Sequence, residues 1–235
     1  MCGVIHAGKF VQLQNAHAEP RNFFCFSDAD TLRYMSDPLT EAIVHSHPAE
    51  VLEDGKKLHR LSPSAADMRQ QLATAKPWVI AAQNLDTGAW EYFDWGKHTL
   101  DLPLLERDFR HGVEDCYVVI EKWWWQNKGV RLLPMPRDEE WWGNVQEGKP
   151  ANANLYLDHF AACGAERIYP RTPRDLVPGD VFLFRLGTGS GGVYNHGGVF
   201  VGNGLVAHHA PTKLSATGPV GPWFNRIDFW LRRPS

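Results

Sequence analysis

Two groups of residues in this chain have the types and spacing that hydrolytic chemistry requires. The first is His45-Ser46-His47 followed by Ser64-Ala65-Ala66-Asp67, and the second is Cys116 followed far along the chain by Asn195-His196 and His208-His209. Imidazoles with a carboxylate bind divalent metals, whereas a thiol beside imidazoles can act as a nucleophile with its base. The sequence therefore predicts two separate reactive sites.

The first group predicts an open zinc site. His45 and His47 lie two positions apart in an apolar segment, and side chains two apart on a strand point to the same face. Asp67 would be the third ligand, because it lies in the first turn of a predicted helix, and the fourth position would be left for water. Ser64 and Asp67 also fit a helix capping box that needs no metal, and an H-x-H pair alone is a weak pattern.

Together with Pro48, these residues resemble the JAMM family of zinc metallopeptidases, whose motif is H-x-H, a spacer, and then S-x-x-D. The resemblance implies one zinc ion on His45, His47 and Asp67, with Ser64 helping to stabilise the tetrahedral intermediate. The spacer here is longer than is usual in the family, with a polar insertion at 50–60.

The catalytic glutamate of the JAMM family is a further departure. In the family it precedes a C-G-hydrophobic strand, and here only Met1 precedes Cys2-Gly3-Val4. A metal-bound water needs a group that takes its proton. Either the true start of the protein lies upstream of Met1 or this site is impaired, and we expect negligible metallopeptidase turnover from the chain as it stands.

The second group predicts a cysteine nucleophile. Asp115-Cys116 begins a predicted helix, whose dipole would lower the pKa of the thiol. Asn195-His196 begins a predicted strand that could bring the His196 imidazole to the thiol as a base. The alternative is a buried structural cysteine with histidines that face solvent.

The partner of His196 depends on the hairpin that follows it. If Asn203-Gly204 forms a two-residue loop, His196 shares a face of the sheet with His209. If the loop has three residues and ends at Gly204, His196 shares a face with His208 instead. The hairpin geometry alone leaves both histidines open.

Three segments of the second half resemble the NlpC-type papain-like endopeptidases. They are G-V-E-D-C-Y at 112–117, P-G-D-V-F-L-F at 178–184 and N-H-G-G-V-F-V-G-N-G-L-V-A-H-H at 195–209. In that family a second polar residue follows the base by twelve positions, which leads here from 196 to 208. The resemblance implies Cys116 as nucleophile, His196 as base, His208 as its orienting partner and the backbone N–H of Cys116 as an oxyanion donor.

The pattern of helices and strands around these residues predicts an α+β (mixed α/β) fold in two domains. The resemblance implies a JAMM-like mixed sheet with helices at 1–100 and a papain-like NlpC-type domain, with a helix-borne cysteine and an antiparallel sheet, at 105–235. An apolar stripe at offsets 0, 3, 4, 7 and 8 from Cys116 supports the helix. Predicted strands span 2–7, 10–14, 23–26, 41–47, 78–83, 90–95, 181–186, 194–201, 205–209 and 227–231, and predicted helices span 28–34 and 64–74, begin near 115, and span 154–163.

Composition narrows the function classes further. The chain has 235 residues and a net charge of −3, with no basic stripe, which argues against a nucleic-acid partner. No apolar run reaches the roughly 18 residues that a membrane span needs, and we expect no export signal of the chain's own. The four cysteines form no C-x-x-C motif, which favours a reducing compartment.

A JAMM-like half followed by an NlpC-like half resembles the tail assembly protein K family of long, flexible-tailed phages. The resemblance implies a tail-tip component that is made in the host cytoplasm, joins the virion tail tip beside other tail-tip proteins, and cuts peptide crosslinks of the bacterial cell wall, such as γ-D-glutamyl-diaminopimelate. A structural tail-assembly protein with relic or masked active sites is the alternative. A bacterial cell-wall enzyme unrelated to phage is a third hypothesis.

Overall fold

A computed structural model of the chain describes residues 1–55, 57–58, 60–97, 99–139, 141–142, 154–187 and 193–234. The chain forms two compact units, Met1–Lys97 and His98–Ser235. Each unit combines helices with a sheet, which confirms the predicted α+β class. Among the described residues, no helix is both long and apolar enough to cross a membrane.

The first unit is built on a five-stranded mixed sheet in the order β2-β1-β3-β6-β7. Strands β3 and β6 are parallel and the other neighbours are antiparallel. Because parallel neighbours need a crossover, helix α2 connects β3 to β6. The elements are β1 Cys2–His6, β2 Lys9–Leu13, α1 Asp28–Tyr34, β3 Thr40–His47, β4 Glu50–Val51, β5 Lys57–Leu58, α2 Ala65–Thr74, β6 Trp78–Gln83 and β7 Trp90–Trp95.

Central strands β1, β3 and β6 carry the buried residues of this unit. Val4, Ile43 and Ile80 are almost completely buried at the middle of the sheet. The polar insertion after His47 contains the short antiparallel pair β4 and β5. The sheet thus places the end of β3, with its two histidines, between two buried neighbours.

The predicted strand at 23–26 is wrong. This aromatic segment has no strand pairing, and the ring of Phe24 stacks on the ring of His45 at a centroid distance of 4.6 Å. Phe24 also lies 5.5 Å from Trp78, centroid to centroid. The apolar run therefore covers part of the sheet with its side chains and does not extend the ladder with its backbone.

The second unit is built on a six-stranded antiparallel sheet in the order β12-β11-β10-β9-β13-β8. Strands β8 and β12 and two short helical turns have no counterpart in the sequence prediction. The elements are α3 Cys116–Lys128, α4 Leu155–Ala162, β8 Glu166–Ile168, a 3₁₀ turn at Pro173–Asp175, β9 Val181–Phe184, β10 His196–Gly202, β11 Leu205–His208, β12 Ala216–Pro219, α5 Gly221–Phe224 and β13 Phe229–Arg232.

Both faces of this sheet are covered. Alternation along β9 sends Val181 and Leu183 to a core that includes α3, and Phe182 to a second cluster on the other face. All five residues of the predicted stripe on α3 are buried. Helix α3 therefore packs along β10 and presents its first residue, Cys116, to that strand.

Candidate metal and thiol sites

The end of β3 and the start of α2 bring three metal-ligating side chains together. His45 Nε2 lies 3.1 Å from His47 Nε2 and 3.2 Å from Asp67 Oδ1, and His47 Nε2 lies 3.3 Å from Asp67 Oδ2. One ligand atom from each residue falls within a group no wider than 4.8 Å. The three predicted ligands thus lie at one point of the fold.

These separations fit a tetrahedral metal. Zinc–nitrogen and zinc–oxygen bonds of about 2.0–2.1 Å place neighbouring tetrahedral ligands about 3.3 Å apart. The atoms of His45, His47 and Asp67 are already separated by 3.1 to 3.3 Å. Nitrogen and oxygen donors of this kind also suit the chemistry of zinc.

Hydrogen bonds outside this group orient two of the three ligands. His47 Nδ1 lies 3.0 Å from the carbonyl oxygen of Arg60, so a proton on Nδ1 directs the lone pair of Nε2 toward the other ligands. Asp67 Oδ2 accepts from Ser64 N at 2.8 Å and from Ser64 Oγ at 2.7 Å, which directs Oδ1 toward His45. The third ligand, His45, is held by Phe24 through stacking, and its Nδ1 is buried without a hydrogen-bond partner.

The electrostatics of the cluster keep the carboxylate charged. Burial acts to raise the pKa of Asp67, but the hydrogen bonds with His45 and His47 outweigh it and hold that pKa well below its usual range. Burial lowers the pKa of His45, which favours its neutral form. A charged carboxylate beside a neutral imidazole is the state that binds a metal cation.

Ser64 caps helix α2 in this structure. Its Oγ accepts from Asp67 N at 3.2 Å while the Asp67 carboxylate accepts from the Ser64 backbone N–H, so the capping box is complete. The sequence assigned Ser64 to the stabilisation of an intermediate, and that role stays a prediction. The three hydrogen bonds between Ser64 and Asp67 all lie within this cap.

The thiol site begins at the N-terminus of α3. Asp115 is the N-cap, and its buried carboxylate accepts from the backbone N–H groups of Tyr117, Val118 and Gly112. The same carboxylate forms a buried ion pair with Arg137. This network fixes the first turn of α3 and with it the position of Cys116.

The sulfur of Cys116 is enclosed by two hydrogen-bonding groups. It lies 3.1 Å from the hydroxyl of Tyr156 and near the backbone N–H of Gly197, which acts to lower the pKa of the thiol. Burial raises the pKa of the Cys116 thiol to about 11, and the negative charge of Asp115 acts in the same direction. The predicted lowering of this pKa by the helix dipole is therefore wrong, because desolvation dominates at a site that is only 6% exposed.

His196 and His208 face each other across β10 and β11. His196 Nε2 lies 3.4 Å from His208 Nδ1, and the two rings are nearly perpendicular. Burial, followed by the neighbouring His208, lowers the pKa of His196 to about 3. The pair is therefore neutral near pH 7.

A bulge decides which histidine faces His196. Gly202 pairs with Leu205 around a two-residue Asn203-Gly204 turn in which both residues have positive φ. That turn alone predicted His209, but the register shifts between Phe200 and Gly202, so that Gly198 pairs with His208. The extra residue moves His208 onto the face of His196, and the two-residue-loop prediction is corrected.

His209 has a separate environment. It is completely buried, its Nε2 lies 3.0 Å from the carbonyl oxygen of Lys213, and its ring packs edge-on against Phe109. These contacts fix the loop after β11. His208 and His209 are adjacent in the chain, but they thus point to different faces and contact different partners.

Three residues of the thiol site were not found in the sequence. Tyr156 and Arg137 carry no motif, and only the fold brings them beside Cys116 and Asp115. Gly197 did carry a signal, since a glycine pair follows His196. A Cβ on Gly197 would lie 2.9 Å from both Leu183 Cδ2 and the Phe182 carbonyl oxygen, so only glycine lets the strands approach this closely here.

The sequence of this chain is similar to those of phage tail proteins. No family model matches the chain. It is 32% identical over 176 residues to the tail tip assembly protein K of Escherichia phage lambda, which covers 74% of this chain and 71% of that protein. It is 28% identical over 231 residues to the protein of the same name from Escherichia phage N15, covering 95% and 83% respectively.

These similarities define the class as phage tail assembly proteins. The chain belongs to the tail tip assembly protein K family, as the order of its motifs predicts.

Proposed function

We propose that this chain acts in the assembly of a phage tail tip, beside other tail proteins, and carries a cysteine endopeptidase for cell-wall peptides. The observation that supports the enzyme is the arrangement of the thiol site. Cys116 Sγ lies near the backbone N–H of Gly197, the residue that follows His196, and His196 is paired with His208 at 3.4 Å. A nucleophile, a base and an orienting group are the minimum for thiol-dependent acyl transfer.

The neutral state of both histidines sets the order of proton transfer. If His196 Nε2–H donates to His208 Nδ1, the lone pair on His196 Nδ1 can take the thiol proton as Sγ attacks the carbonyl carbon. The carbonyl electrons move onto oxygen, where the backbone N–H of Cys116 would donate. The C–N bond then breaks, His196 returns the proton to the leaving amine, and water hydrolyses the thioester.

Digestion of purified muropeptides tests this function. The wild type should cleave γ-D-glutamyl-diaminopimelate bonds, and Cys116→Ala should lose the activity while it keeps the fold by circular dichroism. Cys25→Ala is the matched control, because Cys25 is an exposed thiol in the other unit. Cleavage by Cys116→Ala at the wild-type rate would refute the assignment.

A zinc ion is the second part of the proposal. The separations among His45, His47 and Asp67 and the bond from His47 to the Arg60 carbonyl support it. A bound zinc ion would act there as a Lewis acid. The protein's own contribution is to keep Asp67 ionised, to favour the neutral form of His45 and to bring all three side chains to one point.

A purely structural tail-assembly role is the competing function, and the burial of Cys116 favours it. Complementation separates the two. If the role is structural, a phage that carries only the Cys116→Ala chain should assemble tails and infect normally. If the enzyme is needed, tails should assemble but infection should fall.

A further inference from the structure

The hydroxyl of Tyr156 lies 3.1 Å from the sulfur of Cys116, within hydrogen-bond distance for a sulfur acceptor. Tyr156 belongs to α4 and is 2% exposed. It is thus a buried polar group aimed at the reacting atom of the proposed enzyme, and the thiol motif does not account for it.

Packing of the aromatic ring fixes the orientation of the Tyr156 hydroxyl. The Tyr156 ring lies 5.4 Å from the ring of Trp141 and 6.3 Å from that of Phe160, centroid to centroid. A ring packed against two aromatic neighbours loses little further freedom when its hydroxyl donates, so the hydrogen bond to the sulfur is preorganised.

The direction of the hydrogen bond follows from the protonation states. Burial, and then the neighbouring sulfur, raises the pKa of Tyr156 well above its usual value, so the phenol keeps its proton throughout the working pH range. A thiolate can only accept. Once the sulfur becomes charged, Tyr156 must be the donor.

We propose that Tyr156 is a further catalytic residue of the Cys116 site. This inference rests on the proposed endopeptidase function. The Tyr156 hydroxyl donates to Sγ as the thiol proton passes to His196, and it shifts to the substrate oxygen as the C–S bond forms and the carbonyl electrons move onto that oxygen. Tyr156 transfers no proton, so the step balances with His196 as the sole base.

Tyr156→Phe tests the inference, with Tyr117→Phe as the matched control. Tyr117 is also buried in this unit, but its hydroxyl donates to the Leu133 carbonyl oxygen at 2.6 Å. The readout that needs no substrate is the pH dependence of iodoacetamide alkylation at Cys116, resolved by peptide mass spectrometry. A hydrogen bond to a charged group changes such an equilibrium by about tenfold or more.

We expect Tyr156→Phe to slow the alkylation of Cys116 about tenfold below pH 9 and to lower kcat on muropeptides at least as much, with KM little changed. Tyr117→Phe should match the wild type in both assays. Equal behaviour of the two variants in both assays would overturn the role of Tyr156. A wild type that cuts no muropeptide would overturn the endopeptidase function instead, and the alkylation profile would still decide whether Tyr156 stabilises the thiolate.

A second substitution covers the case in which Tyr156→Phe fails to fold. Fluorotyrosine at position 156 keeps the ring and the hydroxyl but makes the phenol a stronger donor. Cys116 should then be alkylated faster than in the wild type at the same pH. An unchanged rate would contradict the inference.

Discussion

At the scale of single residues, Asp67 is the most informative position of the candidate metal site, because one carboxylate both caps α2 and lies against two histidines. Oδ2 belongs to the cap of α2, whereas Oδ1 lies 3.2 Å from His45 Nε2. Asp30 is the corresponding third residue of α1, where Ser27 Oγ donates to its Oδ2 at 2.8 Å and accepts from its backbone N–H. Both carboxylates thus accept from the hydroxyl of the N-cap serine, and Asp67 in addition lies against two histidines.

We therefore expect Asp67→Asn to weaken zinc binding at least about 100-fold and Asp30→Asn to leave it unchanged. Isothermal titration of the metal-stripped protein with zinc measures both. Equal losses in the two variants would mean that the cap, and not ligation, controls the affinity.

The thiol of Cys116 should be alkylated unusually slowly in the wild type. With a pKa of about 11, roughly one molecule in 10,000 carries the thiolate at pH 7. Iodoacetamide at pH 7 should therefore label the exposed Cys25 first, and the rate at Cys116 should rise about tenfold per pH step up to about pH 11. Faster labelling of Cys116 than of Cys25 at pH 7 would contradict the burial argument.

At the scale of elements, the first turn of α3 depends on one buried ion pair. Removing one partner of such a pair leaves a buried charge uncompensated and costs about 3–5 kcal/mol. We expect Arg137→Met to lower the free energy of unfolding by this amount, because Asp115 loses its cation. Adding Asp115→Asn should restore part of it, and urea denaturation of the full chain compares the three proteins.

The elements that the sequence predicted well are those whose packing follows a strict period. The stripe on α3 is fully buried, and strands β6 and β7 have the predicted bounds. The aromatic segment at 23–26 misled the strand prediction because its side chains cover His45. Strand β12, with the mostly exposed sequence Ala-Thr-Gly-Pro, could not be predicted because it has no alternation of apolar residues and contains glycine and proline.

The two sites could be predicted from the sequence to different extents. The metal cluster follows from two short-range patterns, the alternation of a strand and the first turn of a helix. The pairing of His196 with His208 followed from family spacing, whereas the hairpin geometry left His208 and His209 both open, because the sequence does not reveal the bulge. Tyr156 comes from a separate helix 40 positions beyond Cys116, and no local pattern encodes such a contact.

At the scale of the whole molecule, buried histidines should make stability fall in mild acid. Burial lowers the pKa of each of them, to about 3 for His196 and about 4 for His159. The others with lowered pKa values in the second unit are His111, His208 and His209. Unfolded imidazoles take up protons near pH 6.5, whereas the folded ones resist until lower pH.

The unfolded state therefore binds more protons between about pH 6.5 and pH 3, and stability rises with pH across that window and levels off above it. We expect the free energy of unfolding of the metal-free chain to be clearly smaller at pH 5 than at pH 7.5. Urea titrations at both values measure it, and a flat profile would show that the histidines are accessible to protons in the folded state.

The bulge in β10 has a consequence for how this family can change. Since side chains alternate between faces, the identity of the partner of His196 depends on whether the number of residues between the two histidines along the chain is odd or even. A single-residue deletion in the hairpin would exchange His208 for His209, whereas the loss or gain of two residues would preserve the pair. Relatives that keep the site should therefore vary in this hairpin by even steps, so that parity, and not length, is what selection holds constant there.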